Sequence, residues 1–370
     1  MKIIRLMLPI IFLCLVGNSF NCSGDGDHNK TSGTVWHIGY GNAPVEIPGL
    51  SDIVSVTCGF SHSAALKRDG TVWTWGANGN GQLGDGTTVS RDTPFQVVGL
   101  NSISLISTGW SHTVALKSDG TVWSWGANNL GQLGDGTTIN RYVPTQVSAL
   151  EDVVAVSTGG DFTLALKSDG TVWSWGFESI NSEGYFIFYT TPQQVSGITD
   201  VIAIAAGEWI VSVFPVPPSV RKLALKSDRT VWEWGWWGWD SDSNVMQIPT
   251  KIEGLDNVID IATGGAHSLA LKSDGEVWSW GLNENGQLGD GTTEYKDFPV
   301  KVTGLSNVVN IEASMFNSGA LKSDKTLWIW GGTAPYYKGA PQEHVLIPTE
   351  KVSNITSFSL GRFSALVIKD

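Results

Sequence analysis

Basic residues and cysteines are what this chain has least of. Lysine and arginine number 23 against 35 aspartates and glutamates, a net charge of −12. Gripping nucleic acid or an anionic membrane surface needs basic patches, so this balance argues against both kinds of partner. Of the three cysteines, Cys14 lies in the N-terminal leader, which leaves Cys22 and Cys58 and no disulfide framework. Cys58 occupies a position where similar segments have Thr108 and Thr158, so a buried strand residue is expected there. No G-x-S-x-G, C-x-x-C or H-E-x-x-H motif occurs, and no catalytic group or cofactor is expected.

A membrane-spanning apolar run is missing as well. Leu6 to Val16 is too short to cross a bilayer. Preceded by Lys2 and Arg5 and followed by the small residues of Gly17-Asn18-Ser19, it reads as a signal peptide over residues 1–19. The protein is therefore expected to be exported, either secreted or anchored at the cell envelope. The rival to cleavage after Ser19 is lipidation of Cys22, with the polar stretch to Ser32 as a tether. Against it, Ser19 and Asn21 stand where lipoprotein signals usually carry Leu and Gly or Ala. Asp25-Gly26-Asp27-His28-Asn29 opens like a calcium loop, but its twelfth position is Trp36 rather than Glu, so it reads as part of residues 20–32, the tether.

What the chain does have is repetition. Ala165 to Gly176 reads ALKSDGTVWSWG, and close copies start at Ala65, Ala115 and Ala270, with weaker ones at Ala224 and Ala320. Each copy is a β-hairpin: Asp-Gly between apolar residues is a strong turn signal, because Gly accepts the positive φ that tight turns require. Past the turn, Trp123 and Trp125 fall on one strand face and Val122 and Ser124 on the other. Upstream of the hairpin the best-formed units carry a Val-x-x-Val segment, as at Val153, and downstream lie a Gly-rich loop and then Pro-x-x-Val, as in Pro144 to Val147. Taken from Pro-x-x-Val onward, that makes four short strands per unit, with Trp73, Trp123 and Trp173 spaced 50 residues apart. This is the period of a propeller blade. Gly, at 44 residues, fits many tight turns. Thirteen of the 18 Trp occupy the two Trp positions of the repeat and are expected in the core or between blades.

The ends complete the count. The chain finishes with half a hairpin, Ala365-Leu366-Val367-Ile368-Lys369-Asp370, and begins past the leader with the other half, Gly33-Thr34-Val35-Trp36. Joined, they make a seventh blade with one extra residue. The expected fold is all-β, a seven-bladed propeller of four-stranded antiparallel blades over residues 33–370, with the ring closed by its two ends. Closure is expected to leave no exposed sheet edge. The expected oligomeric state is a monomer.

The marks G-x-x-H-x-x-A-L, D-G-x-V-x-x-W-G and G-Q-L-G-D-G make the chain resemble the regulator of chromosome condensation (RCC1) repeat family, as an exported, bacterial-type member. The resemblance covers Gly33 to Asp370 and implies the seven-bladed ring. It implies much less about activity, because functions within the family diverge widely.

His62, His112 and His267 recur at one position per unit, where other units have Phe162, Arg221, Asn317 and Arg362. Zinc needs several ligands converging on one ion, so packing or turn hydrogen bonding is the expected role and no metal is expected. Gly84-Asp85-Gly86 and its copies are turn chemistry in register rather than a phosphate-cradling loop.

Function is sought where the repeat breaks. In an up-and-down meander, the Asp-Gly hairpins share one face. The Gly-rich loops and the turns before Ala-Leu-Lys share the other. Residues 81–88, 131–138 and 286–293 keep the Gly-Gln-Leu-Gly-Asp-Gly-Thr-Thr form. Three loops depart from it: Phe177 to Thr191, with Tyr185, Phe186, Phe188 and Tyr189; Trp236 to Met246, with Trp236, Trp237 and Trp239; and Gly332 to Leu346, with Tyr336 and Tyr337. A turn from Glu208 to Lys222, eleven residues longer than its counterparts, adds Trp209, Phe214 and Pro215, Pro217 and Pro218. Aromatics on one rim, mixed with Glu178, Glu183, Asp240 and Asp242, have the composition of a protein-binding hot spot. Packing of these aromatics against each other under longer loops is the bland alternative.

The expected function is a non-catalytic exported propeller that binds or inhibits a partner protein. The resemblance supplies a precedent in a secreted bacterial β-lactamase inhibitor that uses one propeller face. It also supplies an alternative: guanine-nucleotide exchange on a small GTPase, the activity of the family's nuclear namesake. The export leader and acidic charge weigh against that reading. A second alternative, a carbohydrate-binding propeller, rests on exposed Trp and Tyr beside carboxylates.

Overall fold

The computed structural model describes residues 13–16, 20–23, 33–39, 43–148, 150–180, 183, 185–208, 219–237, 248–332, 345–361 and 364–369. Seven four-stranded antiparallel sheets succeed one another along the chain. Blade 1 contains strands Ile53–Cys58, His62–Lys67, Val72–Gly76 and Arg91–Gln96. Blades 2 to 6 repeat that order over residues 103–146, 153–194, 201–251, 258–301 and 308–352. Blade 7 takes Ile355–Leu360 and Ser364–Lys369 from the C-terminal end and Thr34–Gly39 and Val45–Glu46 from the N-terminal end. The first strands of successive blades touch all the way round, with 355–360 against 53–58. Seven blades in a closed ring are what the sequence leads one to expect.

Three details differ from that expectation. The Pro-x-x-Val strand is not the first of its unit but the outermost of the blade before, since Gln96 pairs with Trp73 and Gln146 with Trp123. Closure therefore does leave edges, one outer strand per blade. At or just before each of these edge strands stands a proline: Pro44, Pro94, Pro144, Pro192, Pro249, Pro299 and Pro348. Proline cannot donate to a ladder, so it blunts an edge against foreign strands. The terminal half-hairpin also sits two residues later than the sequence suggests, because Val35 pairs with Ile368 as Val72 pairs with Leu66. The position held by His62 opposite Gly76 is thus filled by Ser364 opposite Gly39, not by Arg362.

The Asp-Gly turns form as expected, with Gly70, Gly120, Gly170 and Gly275 at φ near 80°. Arg229 and Lys325 hold the same left-handed conformation at φ 67° and 64°. Each blade is packed on both faces by its neighbours, so Val114-Ala115-Leu116 reads as a continuous apolar run rather than an alternating one. In blades 2 to 6 the second Trp of the repeat is sealed between blades, with Trp125, Trp175, Trp234, Trp280 and Trp330 each at most 2% exposed, whereas Trp75 of blade 1 is half-buried. The first Trp is half-buried, with a lysine ammonium over its ring, as Lys67 lies 4.9 Å from Trp73 and Lys369 lies 4.7 Å from Trp36.

The repeated histidines join blades. His62 Nε2 lies 3.0 Å from Thr113 Oγ1 in the next blade, and Thr113 Oγ1 donates to Gln82 O at 2.9 Å. Having spent its proton, the threonine can only accept from the imidazole, so His62 carries its hydrogen on Nε2 and is neutral. His112–Thr163–Gln132 and His267–Ser318–Gln287 repeat the relay. Burial pushes the imidazole of His62 down to about 4 and those of His112 and His267 down to about 3.

An acid weakness follows. In the unfolded chain these rings take up protons below pH 6.5, whereas folded they do not, so their contribution is intact above that pH and is lost on acidification. At pH 5 the loss is about 2 kcal/mol per ring, or about 6 for three. Burial also raises Asp161 to about 6 and Asp260 to about 7, and these gain protons in the fold as pH drops. They return about 4 kcal/mol at pH 5, leaving a net loss of about 2 that deepens toward pH 4. His112→Phe, which installs the residue the chain uses at Phe162, is expected to remove about 2 kcal/mol of the loss between pH 7.5 and 5 in urea unfolding. An unchanged pH dependence in that variant would contradict the relay.

Candidate functional site on the loop face

Strand direction alternates within a blade, so the turn from first to second strand and the loop from third to outer strand leave the same face. The Asp-Gly hairpins and the connections between blades leave the other. The expected division into two faces therefore holds at the level of strand ends.

Three regular loops show how this face is built. Asn78 Nδ2 donates to Asp85, to Thr87 O and to Val89 O, while its Oδ1 accepts from Leu83 N. Asp85 in turn takes Thr87 N and Arg91 Nε, the latter at 2.6 Å. These bonds hold its carboxyl below the usual carboxylate range against the opposing effect of burial. Asn128 and Asn283 play the same part. These asparagines are the residues the sequence reading passes over. The signal was present, since Asn follows the second Trp by three residues only in the units that keep Gly-Gln-Leu-Gly-Asp-Gly.

The loop so formed leans on the next blade. Gln82 O accepts both Thr113 Oγ1 and Trp125 Nε1, each at 2.9 Å. A Cβ on Gly84 would stand 2.7 Å from Trp125 Nε1, so the glycine backbone lies flat against the indole. Gln132 with Gly134 and Gln287 with Gly289 repeat the contact on Trp175 and Trp330.

Blade 3 breaks the pattern at Glu178, which replaces the asparagine. Its third and outer strands run on to nine residues each, Val172–Ile180 and Phe186–Gln194, paired as far as Ile180 with Phe186. The segment expected as a loop is largely a β-ribbon. Its β-branched and aromatic residues, Phe186 to Thr191, are the reason. Phe177 is buried and meets Phe186 edge-on with ring centres 5.7 Å apart. Phe188 is half-buried, whereas Tyr185, Phe186 and Tyr189 are 68%, 48% and 42% exposed. Glu178 does not belong to an exposed acidic rim: it pairs with the buried Lys222 of blade 4 at 2.5 Å, and Lys222 also donates to Ser174.

Of the other expected contact residues, Trp236 and Trp237 lie on the third strand of blade 4, paired with Val220 and Ser219, rather than in a loop. Trp209, Phe214, Trp239, Tyr336 and Tyr337 lie outside the described residues, in connections whose strand ends are on this face. Cys22 lies on Phe20–Ser23, which pairs with Leu13–Val16 as a separate two-stranded sheet, opposite Cys14. Residues 25–29 are outside the described residues. Among the described residues no helix is long and apolar enough to cross a membrane.

At the centre of the face the first strands end around a depression lined by Thr57, Cys58, Phe60, Trp110, Glu208 and Glu312. Glu312 accepts Leu360 N at 2.7 Å. Burial and this carboxylate push the Cys58 thiol up to about 12, so it is no nucleophile.

Comparison with known proteins now bears on this geometry. Two models described as the regulator of chromosome condensation (RCC1) repeat match, one at residues 69–116, 119–166 and 274–321, the other at 53–82, 103–132, 153–184 and 258–287. Between them they cover just over half of the chain. Protein pim1 of Schizosaccharomyces pombe is 40% identical over 47 residues, 13% of this chain and 9% of pim1. The chain thus matches under a tenth of that relative's length. Prp20p from Saccharomyces cerevisiae, studied for its binding to Gsp1p and histones, superposes with a TM-score of 0.76 at 22% identity, covering 92% of each chain. Human WBSCR16 gives 0.73 at 20% identity, over 92% of this chain and 99% of its own. At those identities the likeness is one of fold.

Proposed function

Since this chain belongs to the RCC1-repeat family, we propose that it is an exported, non-catalytic propeller that binds a partner protein through its loop face. The observation that carries this is the blade 3 ribbon. It departs from the repeat and leaves Tyr185, Phe186 and Tyr189 exposed where the regular loops of blades 1 and 2 place polar turns. Large aromatics held on paired strands lose little freedom on binding and dominate contact energies. Prp20p, whose named partners are proteins, supports a protein as the class of ligand. Export, by secretion or by a lipid on Cys22, rests on the leader, and action as a monomer on the closed ring.

The test is the triple variant Tyr185→Ala, Phe186→Ala, Tyr189→Ala. Against the extracellular and envelope proteins of its source, the wild-type ring should retain a partner that the variant holds at least about 30-fold more weakly, with thermal stability unchanged. Equal retention would sink the assignment. Binding to a glycan array in its place would favour the carbohydrate reading.

A further inference from the structure

The outer strand of blade 3 is guarded less well than its counterparts. In blades 1, 2 and 5 that strand opens on a charged residue and meets its proline three residues later: Arg91 and Pro94, Arg141 and Pro144, Lys296 and Pro299. Charge and proline both keep foreign strands off a sheet edge. Pro192 stands in the place of Pro94, since Gln194 pairs with Trp173 as Gln96 pairs with Trp73. The blade 3 strand begins earlier, however, and Phe186 to Thr191 run ahead of its proline without a charge. All are strong strand formers.

The direction of the peptide groups follows from one hydrogen bond. Thr190 O accepts Gly136 N of the blade 2 loop at 2.8 Å, so the Thr190 main chain points away from its own blade. Blades 2 and 6 cap their edges in the same way, with Gly86 N on Tyr142 O and Gly291 N on Leu346 O. Along a strand the main-chain groups alternate sides, so Phe188 turns its N–H and C=O outward as Thr190 does. The cap stops at Thr190. Among the described residues nothing bonds the Phe188 N–H or C=O, and Phe186 and Tyr189 nearby are exposed.

We infer that the blade 3 edge at residues 186–189 takes up an extended apolar strand of the partner protein, with basic residues at its flanks. The main chain of that strand bonds to Phe188 N–H and C=O, and its alternate side chains lie beside Tyr185 and Tyr189 on one face and Phe186 on the other. Charge selects the occupant. The edge is neutral, but the chain carries a net −12, which draws in a strand flanked by lysines and repels a second ring. So short an edge also buries far less than the roughly 1,200 Å² that holds two folded subunits together. The inference deepens the proposed function and rests on the ribbon being the contact surface.

The experiment titrates the full chain, carrying isotope-labelled phenylalanine, with the peptide Lys-Val-Thr-Val-Tyr-Val-Lys and follows the amides by nuclear magnetic resonance. The Phe188 signal, identified by its loss in Phe188→Leu, should shift saturably with a Kd on the order of 0.1–1 mM. The same peptide methylated on every nitrogen between the lysines keeps its side chains, loses its donors and should not bind. Glutamates in place of the lysines should weaken binding about tenfold at low salt. Phe188→Pro, which deletes an outward N–H in the same phase as Pro192, should abolish binding; if that variant does not fold, the methylated peptide decides alone. No shift at millimolar peptide, or equal binding of the methylated peptide, overturns the inference. So does a dimer in analytical ultracentrifugation that Phe188→Pro abolishes, because the edge then pairs with itself. The partner held by the wild-type ring should be lost from Phe188→Pro and from the triple side-chain variant alike. If the triple variant alone loses it, the ribbon remains the contact surface and strand addition is refuted; if neither does, the ribbon reading falls as well.

Discussion

A chain truncated to begin at Ile47 should lose its cooperative unfolding transition at room temperature. It lacks the third and outer strands of blade 7. Val35, fully buried, packs in a cluster with Ile53, Leu366 and Ile368 and so belongs to the seam between blades 7 and 1. Thr34 to Gly39 pair residue by residue with Lys369 to Ser364, and Lys369 sits over the Trp36 ring. Losing the burial of a Val and a Trp costs about 2–3 kcal/mol each, and the ladder bonds about 1 kcal/mol each. The total, on the order of 10 kcal/mol, matches the entire stability of an ordinary domain. Adding a peptide of residues 33–46 in trans should restore the transition in a concentration-dependent way, because the peptide binds only the folded ring. A truncated monomer melting within about 5 °C of the full chain would mean that the ring does not depend on its two ends.

How much of this was legible beforehand depends on whether a feature repeats. The hairpin was, because Ala-Leu-Lys-Ser-Asp-Gly-Thr-Val-Trp-Ser-Trp-Gly recurs and Asp-Gly fixes the turn. Closure was, because each terminus holds half of that unit. The owner of the Pro-x-x-Val strand was not. It lies between two Trp-bearing strands in sequence, and only the register of Gln96 on Trp73 assigns it to the earlier blade. At the site, the aromatic composition of 177–191 was visible but its pairing was not, since a broken repeat gives no register to compare. The exchange of Asn78 for Glu178 was in plain view, yet its meaning needed the partner Lys222, 44 residues further on.

Glu233→Ser should destabilise the ring by about 3–5 kcal/mol, and Arg221→His should undo much of that loss. Glu233 stands between Trp232 and Trp234, where Thr74, Ser124 and Ser279 bond to the carbonyls of Leu83, Leu133 and Leu288 in their own loops. Blade 4 has no such loop sequence. The carboxylate instead accepts Arg221 Nη1 at 2.6 Å, with both side chains almost wholly buried, and supplies Trp280 with the acceptor that a loop would have provided. Serine at 233 leaves the guanidinium buried without its counter-ion, which is the expensive way to break an ion pair. Arg221 occupies the histidine position of the repeat, so Arg221→His with Glu233→Ser returns both sites to residues the other blades use. The double variant should therefore lie at least about 2 kcal/mol above the sum of the two single losses in a denaturant double-mutant cycle. Strict additivity would show that Arg221 and Glu233 stabilise the ring independently. The buried pair would then not be a substitute for the Gly-Gln-Leu-Gly loop sequence that blade 4 lacks.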